Sequence, residues 1–358
     1  MATYYGRNKS KSYVLGKQLG SGGEGAVFEI VGNSNLVAKV YSAQKLSSSF
    51  DYADARTYLH EKINTMLDQP VNPYIAGASG QNVLTVAWPQ DLLTDSYGNF
   101  VGYTMPRVNS KYHIFAASRE RERVILYPNY TWKIPVLIAY NLSLAVKIVH
   151  NTGAVIGDFN PNNIMIDEKG HVTLIDTDSF NITNKYTGKV YKCTVGVQEM
   201  LPPELQGKDL SKPTSQFSVA TDNFALSIHI FNLLMNNCHP FGCVGMSKSR
   251  SSSSTNPVVS NIVKGICPYV SSNTGATSPD APDFSKLPDY IRVLFERSFK
   301  YDALTAVKAS TISLRPGAEE WQSALMTLYN SLNNNSNSDS GLIKKILEKV
   351  KRFRLFQK

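Results

Sequence analysis

The sequence predicts an α+β fold of two lobes: a small antiparallel sheet with one main helix, then a larger and mostly helical portion. Three observations predict it. Strand, glycine turn, strand and strand run from Tyr13 to Tyr41, and helical spacing follows from Asp51 to Leu67. The pattern changes after Met105-Pro106, where long helical periodicities take over. Between the long helices lie two polar loops, around Asp158 and Asp176, on either side of a short β-hairpin.

In the first lobe, Val14, Leu15 and Leu19 precede the glycines, and Ala26, Val27, Phe28, Ile30 and Val31 follow them. Leu36 to Tyr41 is a further β-prone run. Tyr58, Ile63, Met66 and Leu67 are the inward positions of the helix, which Pro70 and Pro73 end. Two more strands are expected near Val83 to Ala87 and Phe100 to Met105, joined by a hairpin carrying Asp95 and Gly98.

The second lobe opens with a helix from Trp132 to His150, closed by Gly153. Short strands at Ile164 to Ile166 and Val172 to Ile175 turn at Gly170. Asn223 to Met235 is apolar almost all round and is expected to be a buried helix. Ser247 to Asn256 and Ser271 to Asp283 read as mobile loops, and Pro288 to Phe299 and Glu319 to Leu328 as helices. The division is 1–12 flexible N-terminus, 13–106 first lobe, 107–331 second lobe, 332–340 Asn/Ser-rich linker and 341–358 basic amphipathic helix.

Composition is that of a globular chain, with 42% hydrophobic and 18% charged residues over 358 positions. The formal charge of +9 is uneven, because residues 341–358 carry seven basic side chains and one acidic. A nucleic-acid-binding body is therefore a weak reading. The tail alone suits contact with anionic lipid or nucleic acid, or packing back on the large lobe. Cys193, Cys238, Cys243 and Cys267 show no structural zinc spacing, and Cys238-His239 with Cys243 is read as ordinary structure. Unpaired thiols fit a reducing, cytoplasmic setting. The polar N-terminus is not a signal peptide, and no 18-residue uninterrupted apolar stretch predicts a transmembrane helix.

Gly20-Ser21-Gly22-Gly23-Glu24-Gly25-Ala26-Val27 fits G-x-G-x-x-G-x-V. Such glycines let backbone N–H groups approach phosphate oxygens. A dinucleotide loop would feed a helix, whereas this one continues β-prone; a bare tight hairpin explains it equally well. Lys39, in Leu36-Val37-Ala38-Lys39-Val40, can project toward phosphate or sit at a surface, and Glu61 is a candidate partner from the following helix. Asp158, Asn163 and Asp176 can meet across the hairpin. A carboxylate such as Asp158 would orient a hydroxyl and accept its proton, while Asn163 and Asp176 would hold Mg²⁺ or Mn²⁺ against ATP phosphates. Singly, each of these residues also suits a turn.

Taken together, glycine loop, strand lysine, Asp158, Asn163 five residues later and Asp176 resemble the protein-kinase signature, over roughly Tyr13 to Leu328. The wording GDFNPNNI and LIDTDSF is similar to a bacterial group of eukaryotic-like Ser/Thr kinases. The resemblance implies a bilobal fold and an ATP-dependent Ser/Thr protein kinase, an enzyme that phosphorylates a protein substrate or itself. It places Gly20, Ser21, Gly22, Gly23, Gly25, Val27, Ala38, Lys39, Glu61 and Met105 around the nucleotide. It gives Glu204, Asp222 and Arg315 structural roles. Ile156-Gly157 stands where kinases have His-Arg, so control by activation-loop phosphorylation is not expected. Asn160 replaces a lysine that helps hold the transferring phosphate, and Thr177-Asp178 replaces Phe-Gly, adding a charge beside the metal site. A nucleotide-binding pseudokinase or scaffold, and a small-molecule kinase of related fold, are the alternatives.

Overall fold

The structure is a computed structural model that describes residues 2–50, 53–77, 80–212, 216–242, 256–271 and 276–334. The expected basic helix at 341–358, Cys243 and most of the serine-rich loop lie outside the described residues.

The N-terminal region is built on strands β1 (Thr3–Tyr5), β2 (Ser12–Ser21), β3 (Gly25–Ile30) and β4 (Asn33–Tyr41). After α1 (Ala43–Ser47) and the small β5–β6 pair (Ser49–Phe50, Ala53–Asp54) comes α2 (Ala55–Asp68). Asp54 caps α2 by accepting from the Thr57 N–H. Strands β7 (Tyr74–Ala76), β8 (Asn82–Leu84), β9 (Asp91–Thr94) and β10 (Phe100–Pro106) follow.

The expected antiparallel sheet is present, but it closes. The order β1-β2-β3-β4-β10-β9 returns on itself, sealed where Tyr5 pairs with Thr94. The N-terminus expected to be flexible supplies that seal. Arg7 N–H donates to Asp91 Oδ1 at 2.9 Å and the Tyr13 hydroxyl to Asp91 Oδ2 at 2.6 Å, tying the start of the chain to β9. Tyr13, Leu15, Ile30, Ala38 and Leu93 form an apolar cluster drawn only from barrel strands.

The β10 partner is a second difference. The sequence suggests Val83 to Ala87, yet β10 pairs with β9, and β8 pairs with β7. Thr85 to Ala87 lie outside the barrel instead. Leu174 N–H donates to the Thr85 carbonyl and Ala87 N–H to the Leu174 carbonyl, each at 2.8 Å, which stitches the barrel region to the hairpin between the polar loops.

The C-terminal region holds β11 (Tyr112–His113), α3 (Glu120–Leu126), α4 (Lys133–His150), β12 (Ile164–Ile166), β13 (Val172–Leu174), β14 (Ile182–Thr183) and β15 (Val190–Tyr191). Then come α5 (Val219–Leu234), α6 (Pro257–Lys264), α7 (Asp289–Phe299), α8 (Ala309–Ile312) and α9 (Ala318–Asn334), which runs into the stretch expected as a linker. Helix α5 begins in a Ser218/Thr221 capping box. Nearly its whole surface is buried, and Phe224 and Phe231 pack with Phe241, Phe295 and Phe299. Fully burying such a side chain contributes roughly 1.5–3 kcal/mol, so this aromatic group anchors the region. Helix α4 is, by length and composition, apolar enough to cross a bilayer. Here its buried face, including Ile138, Leu142 and Val149, belongs to the main core.

Candidate active site

The glycine segment is a β-hairpin turn. Gly20 pairs with Val27 and Ser21 with Ala26, and Gly22 N–H donates to the Gly25 carbonyl. A Cβ on Gly20, Gly22 or Gly23 would have no atom within 4 Å, so the turn is open to a ligand. At Gly25 a Cβ would sit 2.2 Å from the Val40 carbonyl oxygen; this glycine allows close approach of β3 to β4.

Strand period and register place the lysine. Lys39 on β4 lies opposite Val27 on β3 and Tyr103 on β10. Tyr41, two residues on, shares its face. So does Val37, which lies opposite Met105. Ala38, expected around the nucleotide, is on the other face, in the barrel's apolar cluster.

Lys39 Nζ lies 2.8 Å from Asp176 Oδ1 and 2.8 Å from each oxygen of Asp178. The hydroxyls of Tyr41 and Tyr103 donate to Asp178 at 2.7 and 2.8 Å. Burial opposes the charge of Lys39, but the Asp178 and Asp176 carboxylates outweigh it and hold the ammonium above its ordinary range. Burial likewise penalises the Asp178 charge, and Lys39 with the two phenols overcomes it, so Asp178 stays ionised well below the usual carboxylate range. Asp176 differs. Its side chain is 40% exposed against 2% for Asp178, and burial then the neighbouring Asp178 push its carboxyl up. Its backbone is left-handed, at φ 58°, an uncommon state for a non-glycine residue and one that recurs at functional sites.

Glu61 does not meet Lys39. It pairs with Lys189 and accepts from the Tyr191 hydroxyl at 3.3 Å, at the edge of the β14–β15 hairpin. Helical spacing explains this. Tyr58, Lys62 and Met66 share the buried stripe of α2, which turns Lys62 inward and Glu61 to the rim.

Asp158 follows α4 in a loop held from below. Ile156 and Gly157 N–H groups donate to the two oxygens of Asp222 at 2.7 and 3.0 Å, and His150 Nε2 lies 2.9 Å from the same carboxylate. His229 Nε2 is 2.8 Å from the Phe159 carbonyl oxygen. Asn160 accepts from Asn162 N–H and donates to Asp158 Oδ2 at 3.3 Å. Asn163 Nδ2 donates to the Asp158 carbonyl at 3.3 Å and to Oδ2 at 3.4 Å. Asp158 Oδ1 is buried with no close hydrogen-bond partner, the Val197 N–H standing near the carboxyl without a well-formed bond. Burial, helped by the charge of Asp176, raises the Asp158 carboxyl above its ordinary value. Further out, Arg315 forms a bidentate pair with Glu204 at 2.6 and 2.7 Å, and its guanidinium lies over the Phe224 ring.

Lys39, Asp176 and Asp178 thus meet directly, and Asn160 and Asn163 gather on Asp158. Sequence reasoning missed Tyr41, Tyr103 and Lys62. The alternation Lys39-Val40-Tyr41 and the spacing Tyr58, Lys62, Met66 were the available signals. Among the described residues, no group of three or more His, Cys, Asp and Glu is arranged to hold a metal; the oxygen set here includes Asn163.

Comparison with known proteins adds ancestry. No protein-family profile matches the chain. Over 322 residues it is 30% identical to a protein named protein kinase YegI from Escherichia coli K12, covering 89% of this chain and 45% of that protein. A protein of the same name from Escherichia coli O157:H7 matches at 30% over 321 residues, covering 88% of this chain and 45% of its own length. The chain therefore spans a little under half the length of these relatives. It is a distant homologue of bacterial proteins bearing a protein-kinase name, a relationship consistent with membership of the protein-kinase superfamily in general.

Proposed function

We propose that the chain is an ATP-dependent protein kinase domain that transfers a phosphoryl group to a Ser or Thr hydroxyl. The observation that carries this reading is the meeting of Lys39 with Asp176, 137 positions apart, beside a buried Asp158 whose Oδ1 has no close partner. An orphaned carboxylate oxygen in a loop this well tied suits a group that arrives with substrate.

The residues fit the roles. The open glycine turn would cover phosphates with backbone N–H groups, and Lys39 would pair with phosphate oxygens. Asp176, half-buried and bonded once to Lys39, and the amide oxygen of Asn163, which its bonds to Asp158 leave unused, form an all-oxygen donor set suited to Mg²⁺. When bound, that ion would offset the negative charge of the phosphates. Asp158 would orient the attacking hydroxyl and accept its proton; its raised carboxyl makes it a better base than a free aspartate.

The test is Mg²⁺-dependent transfer of labelled phosphate to the chain itself or to a generic basic protein. Lys39→Met and Asp158→Ala should each lower it by at least about 100-fold. Wild type that binds ATP and metal yet labels nothing would end the reading.

A second reading, a pseudokinase, draws on one observation: Lys39 is already held by two carboxylates. It predicts nucleotide binding with no turnover under any metal.

A further inference from the structure

Two carboxylates hold Lys39, and they are not equivalent. Asp178 is 2% exposed, and both of its oxygens are engaged by Lys39 and the two phenols. Asp176 makes one bond to the lysine and is 40% exposed. A saturated buried acid is fixed, whereas a half-buried one with a single bond can turn to a ligand without leaving Lys39 bare.

Helix α2 has a different commitment. Besides Glu61, Gln69, which caps the helix, donates from Nε2 to the Thr183 carbonyl at 3.0 Å and accepts at Oε1 from Lys185 N–H at 2.8 Å. Asn184 Nδ2 donates to Thr65 Oγ1 at 3.3 Å, and Lys192 N–H to the Tyr58 hydroxyl at 2.8 Å. The helix is thus tied along its length to the β14–β15 hairpin, the segment that follows Asp178. Toward the interior it presents a cation, Lys62.

We propose that Asp178 is the positioning residue for Lys39, held by Tyr41 and Tyr103, and that Glu61 takes no part in orienting the lysine. This deepens the kinase reading and rests on it. The strands themselves carry the device, since Lys39 and Tyr41 share a face of β4 and Tyr103 is the direct neighbour of Lys39 on β10. The bonds that orient Lys39 then come from the barrel strands and one adjoining turn. Glu61 serves the hairpin instead.

The experiment uses the full chain with two readouts: steady-state phosphotransfer with Mg²⁺ and ATP, and metal-free affinity for a fluorescent ATP analogue. Asp178→Asn should lower kcat/KM by about 100-fold through misplacement of Lys39. Tyr103→Phe, which keeps the ring and removes one hydrogen bond, should lower it about fivefold and serves if the Asp178 variant does not fold. Both should weaken metal-free binding, which a purely structural role for Asp178 would leave unmoved in the folded protein. Glu61→Gln, at an exposed ion pair, should change either readout by less than about fivefold. The proposal is overturned if Glu61→Gln is as damaging as Lys39→Met, if Asp178→Asn and Tyr103→Phe match wild type in both readouts, or if wild type binds no nucleotide. If wild type binds but transfers nothing, the kinase reading alone fails, and the affinity comparison still decides the role of Asp178.

Discussion

A Cβ placed on Gly157 would stand 2.8 Å from the Cβ and 2.9 Å from the Sγ of Cys193. Gly157 also has φ of +73°, where L side chains are strained. The space that a side chain at position 157 would enter is therefore filled by Cys193. Gly157→Arg should destabilise the chain by roughly 2–5 kcal/mol, from backbone strain and overpacking together. Denaturant unfolding measures it. An arginine variant as stable as wild type would mean that the Cys193 segment yields freely.

His229 gives the site an acid sensitivity. Burial lowers its imidazole to about 4, and its neutral Nε2–H donates to the Phe159 carbonyl in the loop beside Asp158. The unfolded chain, with an ordinary histidine near 6.5, takes the proton first. Its stabilising contribution is complete above that value and is lost as pH falls toward 4. Between pH 7 and pH 5 wild type should lose about 2 kcal/mol relative to His229→Gln. Parallel unfolding curves for the two proteins across that range would refute the assignment.

Lys62 works in the opposite pH range. It is buried, and burial lowers its ammonium to about 8. Because the unfolded lysine, at 10.5, binds its proton more tightly, the residue destabilises the fold below about pH 8, and that cost fades as pH rises toward 10.5. Lys62→Met should stabilise the protein at pH 7 by on the order of 3 kcal/mol. The gain should shrink by pH 9.5. Denaturant midpoints at the two pH values check both parts, and an unchanged gap would show that the ammonium is satisfied in the fold.

Much of the architecture was legible because periodicity survives in long elements. The β2–β4 run and helices α2, α4, α5 and α7 follow their apolar patterns. Strand β9 was not legible. Asp91–Thr94 is four residues long, and its identity depends on which strand β10 meets in space. Barrel closure was hidden for the same reason, since Thr3–Tyr5 has no pattern of its own and is ordered by Asp91 and Thr94.

At the site, the motif spacing pointed to Lys39, Asp158, Asn163 and Asp176, and the role of Asp178 was open. Motifs carry residue types, not helix rotation. A glutamate beside a lysine on α2 looks interchangeable in one dimension, but the stripe through Tyr58 and Met66 turns one inward and the other out. The placement of Ala38 in the barrel's apolar cluster has the same origin, as adjacent residues on a strand face opposite ways.

The pairing of Arg315 with Glu204 crosses 111 positions. On a ribosome adding residues at ordinary speed, that gap corresponds to about 5–20 s of synthesis. Throughout that interval Glu204 has been made and Arg315 has not. This contact is thus timed by translation, and a stall before codon 315 would leave Glu204 without the guanidinium that pairs with it.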